Sequence, residues 1–205
     1  MSPFLNSDNI LRSTSSIEYH PLLPFLPEST KILFLGSFPP QRKRWCMDFF
    51  YPNFQNDMWR IMGMIFFADK NVFVDGRDKT FKKHDIVRFA EEVGIAMYDT
   101  AEVVNRLKDN ASDNFLEIVR PTDIKQLLTR LPQCQAIATT GEKATNEIIM
   151  LYSTQKPKIG ESVPLLIGQR ALSLYRMPST SRAYPLPLEK KAAFYHAMFS
   201  ELGML

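Results

Sequence analysis

Residues 31–40 read Lys31-Ile32-Leu33-Phe34-Leu35-Gly36-Ser37-Phe38-Pro39-Pro40. A short, wholly apolar run halted by glycine, serine and two prolines is the pattern of a strand buried on both faces that runs into a rigid loop. Three further runs repeat it. Ile95-Ala96-Met97-Tyr98 ends in Asp99-Thr100, Ala136-Ile137-Ala138-Thr139 ends in Thr140-Gly141, and Ala171-Leu172-Ser173-Leu174-Tyr175 ends in Arg176-Met177-Pro178-Ser179-Thr180-Ser181. Helical periodicity fills the intervals. Residues 57–67 carry Met58, Ile61, Met62, Ile65 and Phe66 at i, i+3, i+4 and i+7 spacing, and similar patterns cover 85–93, 122–130, 142–152 and 188–202. Strands alternating with helices predict βαβ crossovers and an α/β fold, with a mostly parallel central sheet of about four strands covered on both faces.

The chain has 205 residues, of which 45% are hydrophobic and 23% charged, values that exclude a disordered tail, a collagenous repeat and a disulfide miniprotein. Residues 1–16 are polar and read as a flexible N-terminal arm, leaving 17–205 as a single domain. The charged stretch Asp69–Lys83 reads as a mobile insertion, and Thr154–Gly168 as a second loop. Net charge is +3, so any polyanion-binding surface must be local. Two cysteines, Cys46 and Cys134, cannot build a four-thiolate site and read as reduced thiols of a cytoplasmic protein. No apolar stretch approaches the roughly 20 residues of a membrane helix, so no membrane association is expected.

Ligands of an open parallel sheet bind outside the carboxyl ends of its strands. The first such end, Gly36–Pro40, lacks the glycine run and Lys-Ser/Thr pair of a phosphate loop. His20, His84 and His196 have no acidic or cysteine partner at ligand spacing and read as structural, so neither a metal nor a cofactor is expected. After the first strand, Trp45, Phe49, Phe50, Tyr51, Phe54 and Trp59 surround Asn53, Gln55 and Asn56, with Arg42, Lys43 and Arg44 just ahead. Aromatic faces stack on nucleobases, amides read their edges and cations meet phosphates. The same residues also suit a plainer role, with Asn56-Asp57 capping a helix and the aromatics filling a core. At the last strand, Pro178-Ser179-Thr180-Ser181-Arg182 offers three hydroxyls and a guanidinium in one turn, a surface for a DNA phosphate.

In this order the pieces resemble the uracil-DNA glycosylase superfamily, and most closely its hypoxanthine-DNA glycosylase branch. The resemblance spans about residues 20–203. It rests on Leu35-Gly-Ser-Phe-Pro39, the aromatic stretch leading to Asn56-Asp-Met-Trp59, Gly94-Ile-Ala-Met-Tyr-Asp99, Thr140-Gly141 and Met177-Pro-Ser-Thr-Ser181. It implies a three-layer α/β/α sandwich, double-stranded DNA carrying a damaged or deaminated base as the partner, and a monofunctional base-excision repair enzyme. Such an enzyme hydrolyses the N-glycosidic bond of a flipped base and leaves an abasic site, without a cofactor and as a monomer.

Carried onto this chain, the resemblance implies that Asn56 is the catalytic residue, in an Asn-x-aromatic-Trp motif whose aromatic is here Met58. Ser37, Phe38, Asp99 and either Tyr51 or Phe50 would face the base. Pro178, Ser179, Thr180, Ser181 and Arg182, with Arg42, Lys43 and Arg44, would contact DNA. The chain departs from the superfamily at Phe38, where many members place Asp or Asn, at Met177, where uracil enzymes place a histidine, and at Pro40, where glycine is usual. These departures motivate an alternative: a weak or inactive nucleic-acid or nucleobase-binding protein on the same fold.

Overall fold

A computed structural model describes residues 16–107 and 115–205. The run 31–35 is a strand: β2 (Ile32–Gly36) pairs in parallel with β5 (Ile95–Asp99) and with β8 (Ala136–Thr140), and β8 pairs in parallel with β10 (Arg170–Met177). Ile32, Leu33, Phe34 and Leu35 are all buried, as a strand covered on both faces requires. Helices α1 (Met58–Phe67), α2 (Lys83–Val93), α3 (Ile124–Thr129), α4 (Glu142–Tyr152) and α5 (Leu188–Glu201) flank the sheet, completing the α/β/α sandwich. Phe34 stacks on Tyr195 of α5 at 6.2 Å between ring centroids and lies 6.0 Å from Phe199 of the same helix, so α5 closes one face of β2. Trp59, fully buried in α1, packs against Phe49, Tyr51 and Phe73, and its indole N–H donates to the Phe50 carbonyl at 3.1 Å.

The four expected parallel strands form the central sheet, and β9 (Ser162–Ile167) joins them antiparallel to β10, giving the order β5-β2-β8-β10-β9. Two expectations need correction. The expected loop 154–168 therefore contains an edge strand: Leu165 and Ile167 point into the core while Leu166 faces out, and Pro164 is tolerated because an edge strand need not donate on both sides. The expected insertion 69–83 is a packed hairpin, β3 (Val74–Asp75) with β4 (Thr80–Phe81), anchored by buried Phe73 and Phe81. Its charges lie on the solvent side, and composition hid the two anchors.

A second, antiparallel sheet was not foreseen. β1 (Ser16–Tyr19) pairs with β6 (Ala101–Arg106), which pairs with β7 (Leu116–Pro121). β6 starts two residues after β5 ends, so the chain leaves one sheet for the other at Thr100, whose N–H donates to the Gly36 carbonyl at 2.8 Å. Of the expected arm 1–16, residues 1–15 lie outside the described residues and Ser16 opens β1.

Trp59→Phe removes the donor to a buried carbonyl and part of a core ring. It should cost about 2 kcal/mol, read as a lower denaturant midpoint at unchanged m-value.

Candidate functional site

The register aligns the strand ends. Gly36 lies opposite Asp99, Leu35 opposite Thr139 and Thr140 opposite Met177, so the segments that leave β2, β5, β8 and β10 emerge along one edge. Gly36 leaves room there: a Cβ would meet Oδ1 of Asp99, whose carboxylate lies across the glycine and would have to shift.

Asp99 is not alone. Its Oδ2 accepts from Nε2 of His20 at 2.8 Å, while the His20 Nδ1 lies 2.8 Å from the Leu22 carbonyl and 3.2 Å from the Leu22 N–H. Leu22 can thus satisfy Nδ1 as donor or as acceptor without movement. The imidazole is 2% exposed and sits among Tyr98, Phe38 and Phe50, with ring centroids at 4.5, 5.4 and 6.3 Å. The expectation that His20 has no acidic partner is corrected: β1 of the second sheet delivers its imidazole to Asp99 from far along the sequence. Its acidic partner is 79 residues away, so no local spacing could reveal it. Among the described residues no hydrogen bond reaches the other carboxylate oxygen, Oδ1.

Arg106 braces this corner. Its guanidinium, 2% exposed, donates to Glu18 at 2.7 and 2.9 Å and to the Pro39 carbonyl at 3.2 Å, tying β6 to β1 and to the loop after β2. Phe38 is buried beneath it, 6.0 Å from the guanidinium carbon, in a small apolar cluster with Ala101, Val104 and Leu116. Ser37 beside it is also buried.

The aromatic stretch crosses the same edge. Phe50 is buried in contact with Phe49, His20 and Tyr98, whereas Tyr51 is half-buried. Tyr51 holds a left-handed backbone, φ 52°, a strained conformation for a bulky residue that persists where surroundings enforce it. Its hydroxyl meets Thr140 Oγ1 at 3.1 Å. Burial, reinforced by the Asp99 charge and opposed by the Thr140 bond, raises the Tyr51 phenol well above its ordinary range. Burial likewise pushes Tyr98 up to about 12, with Glu102 and Asp99 adding to it. Both phenols stay protonated across any working pH.

Asn56 precedes α1. Its Oδ1 accepts from the Met58 N–H at 2.8 Å, satisfying one of the helix's orphan donors, and its Nδ2 makes no hydrogen bond among the described residues. The amide thus caps with its oxygen and presents its nitrogen. Asp57, next along, joins the two ends of the fold. Its N–H donates to the Thr180 carbonyl at 2.8 Å, and its Oδ2 accepts from Lys191 Nζ at 2.8 Å. Lys191, on α5, has no exposed side-chain surface, and its second bond goes to the Ser181 carbonyl at 2.8 Å. Tyr195, a turn further on, donates to the Pro178 carbonyl.

That network fixes the loop after β10. Ser179 Oγ accepts from the Ser181 N–H and Ser181 Oγ from the Ala183 N–H, so both hydroxyls stabilise turns and keep their protons for a ligand. Thr180 is buried at 2% exposure, so of the three expected hydroxyls it is not on the surface. Arg182 is exposed, 3.7 Å from Asp57 Oδ1. The structure therefore brings together Asn56, Asp57 and Pro178–Arg182, and separately Phe38, Asp99 and Phe50 around His20, with Ser37 buried next to Phe38 in the chain. Arg42, Lys43 and Arg44 form one 3-10 turn elsewhere. Arg42 pairs with Asp48 at 2.6 Å, lies over the Trp45 ring, and borders a cleft of about 280 Å³ with Phe38 and Pro39. Among the described residues no three His, Cys, Asp or Glu side chains could hold a metal, and no helix is long and apolar enough to cross a membrane.

No protein-family model and no curated protein matches the sequence. The fold does match solved structures. One is the solution NMR structure of a Methanosarcina acetivorans protein provisionally assigned as a uracil DNA glycosylase, similar over 92% of this chain and 99% of that one at TM-score 0.60 and 21% identity. The α/β/α architecture with its mostly parallel sheet is thus one that solved structures share.

Lys191→Met should cost about 3–5 kcal/mol by leaving the buried Asp57 carboxylate uncompensated. Adding Asp57→Asn should recover most of the loss, both read by chemical denaturation.

Proposed function

We propose that this chain is a monofunctional DNA glycosylase that hydrolyses the N-glycosidic bond of a flipped deaminated base, hypoxanthine ahead of uracil. The observation that supports it best is the backbone bond from Asp57 to Thr180, which sets the Asn56 amide beside the Ser179–Arg182 loop at the carboxyl edge of a glycosylase-like fold. An amide for the base and a hydroxyl-bearing loop for the strand are then neighbours.

A base inside a duplex is inaccessible, and a deaminated or mispaired one costs least to extrude. In the reaction the C1′–N bond breaks with its electron pair on the base. Water then bonds to C1′, and one of its protons ends on the base. Positive charge develops on the sugar and negative charge on the leaving group. Asn56 cannot act as a base, and its oxygen is engaged by Met58, so its part is that of Nδ2 as donor to the departing base. Asp99 Oδ1, an acceptor only, suits a ring N–H such as hypoxanthine presents, and the His20 bond keeps the other oxygen occupied. Tyr51 is the better placed of the two rings to stack on the base, because Phe50 is enclosed by the core. Ser179, Ser181 and Arg182 meet the strand.

Labelled duplexes containing deoxyinosine, deoxyuridine or deoxyxanthosine should yield alkali-labile abasic sites, deoxyinosine fastest. Salt-dependent binding with no product from any of them would instead favour the non-catalytic reading. Asn56→Ser keeps a capping oxygen and loses the Nδ2 donor: stability should stay within about 0.5 kcal/mol while the single-turnover rate falls about 10²- to 10³-fold. Asn56→Ala should lose the same rate and about 1 kcal/mol of stability as well. Full activity in Asn56→Ser would remove Asn56 from the mechanism.

A further inference from the structure

Behind the Pro178–Arg182 loop lies a cleft of about 360 Å³, walled by Arg60, Lys70, Arg182 and Lys191, with Asp57 at its base and Leu186, Pro187 and Leu188 at its rim. Four cationic side chains here face one carboxylate. That carboxylate is largely spent on Lys191, and Arg182 reaches it only at 3.7 Å. Lys70 is exposed and makes no ion pair among the described residues. Arg60 is held rigidly. Its NH1 donates to the Phe54 and Asn56 carbonyls at 2.9 and 3.1 Å, and its guanidinium lies over the rings of Phe54 and Phe81. Burial, and after it the charge of Arg182, pulls Arg60 below the ordinary guanidinium range. Four like charges gathered this closely around one carboxylate are relieved by a further anion.

We infer that this cleft is a binding site for a phosphodiester group of a DNA strand, held by Arg60, Lys70 and Arg182. No aromatic ring lines it to stack a base and no side-chain amide lines it to read one, so the occupant is backbone rather than nucleobase. Its position points to a phosphate of the strand that the Ser179–Arg182 loop follows, a clause that rests on the proposed glycosylase reading. Occupancy would bear directly on Asn56, because Arg60 donates to the Asn56 carbonyl and Asp57 is the next residue.

The test is fluorescence anisotropy of the full chain with an undamaged duplex across a salt series, for wild type, Lys70→Gln, Arg182→Gln and, as a control, Lys158→Gln, whose side chain is 85% exposed. Each cleft variant should flatten the slope of log K against log salt by about 0.9 for its lost phosphate contact, and the control should leave it unchanged. Slopes in both cleft variants equal to the control would overturn the inference. So would inorganic phosphate that shifts Lys70 and Arg182 resonances while the duplex slopes stay alike, which would make this a free-anion site. Flattened slopes with no abasic product from any lesion duplex would uphold the cleft and overturn the glycosylase reading. Abasic product with unaltered slopes would do the reverse, and a wild type that binds no duplex would overturn both.

Discussion

A lysine ammonium with no access to water, bonded to a carboxylate 134 residues away, holds the described fold in its working arrangement. Burying either charge alone costs several kcal/mol, so Lys191 and Asp57 are tolerated only together and only with their remaining bonding capacity used. It is used on backbone: Lys191 takes the Ser181 carbonyl, and the Asp57 N–H takes the Thr180 carbonyl. The pair therefore does more than join α1 to α5. It seats a loop of the last parallel strand against the first turn of the first helix, at the residue after Asn56. A hydrophobic pair would pack those helices as tightly, but it would leave the Ser181 carbonyl without its ammonium donor.

The second sheet carries out the corresponding task at the other side of the edge. Its role in stability is modest to judge from its small apolar cluster, yet it determines what stands beside Asp99. β1 brings His20, the jump at Thr100 places β6 alongside, and Arg106 clamps both to the loop after β2. The strained backbone of Tyr51, anchored at Thr140, completes the enclosure. Two sets of groups, one around Asp99 and one around Asn56, are thus built by different parts of the chain on a common row of strand ends.

Much of this was legible in the sequence, and the boundary has a physical cause. The parallel strands announced themselves because burial on both faces demands uninterrupted apolar runs, and α4 was read with its limits correct because Gly141 and a clean period bound it. β9 was missed because edge strands need only one apolar face and accept Pro164, so the signal falls to Leu165 and Ile167. The β3–β4 hairpin was hidden by the charges around Phe73 and Phe81. The partner of His20 was missed for a different reason: it lies in another element, and pairing across 79 residues leaves no periodicity to read. Asn56 was visible both as a cap and as a functional amide, and the geometry makes those readings compatible by dividing them between oxygen and nitrogen.

Phe38 shows how the frame restricts the chemistry. It is enclosed by Ala101, Val104 and Leu116, with its ring beneath the Arg106 guanidinium and against His20. A carboxylate there would lose its hydration inside an apolar cluster, beside an Arg106 guanidinium that already holds Glu18 and the Pro39 carbonyl and a His20 Nε2 given to Asp99. The loop after β2 cannot therefore supply a water-activating acid without dismantling the corner that orients Asp99. In the proposed reaction the barrier must then be lowered at the leaving base by the donating Asn56 amide, with Asp99 orienting the base and water as a weak nucleophile. Such a division favours bases that already accept negative charge and present a ring N–H. On that ground selectivity in this chain would come from how the departing base is held, and the apolar residue at position 38 is part of the design that makes it so.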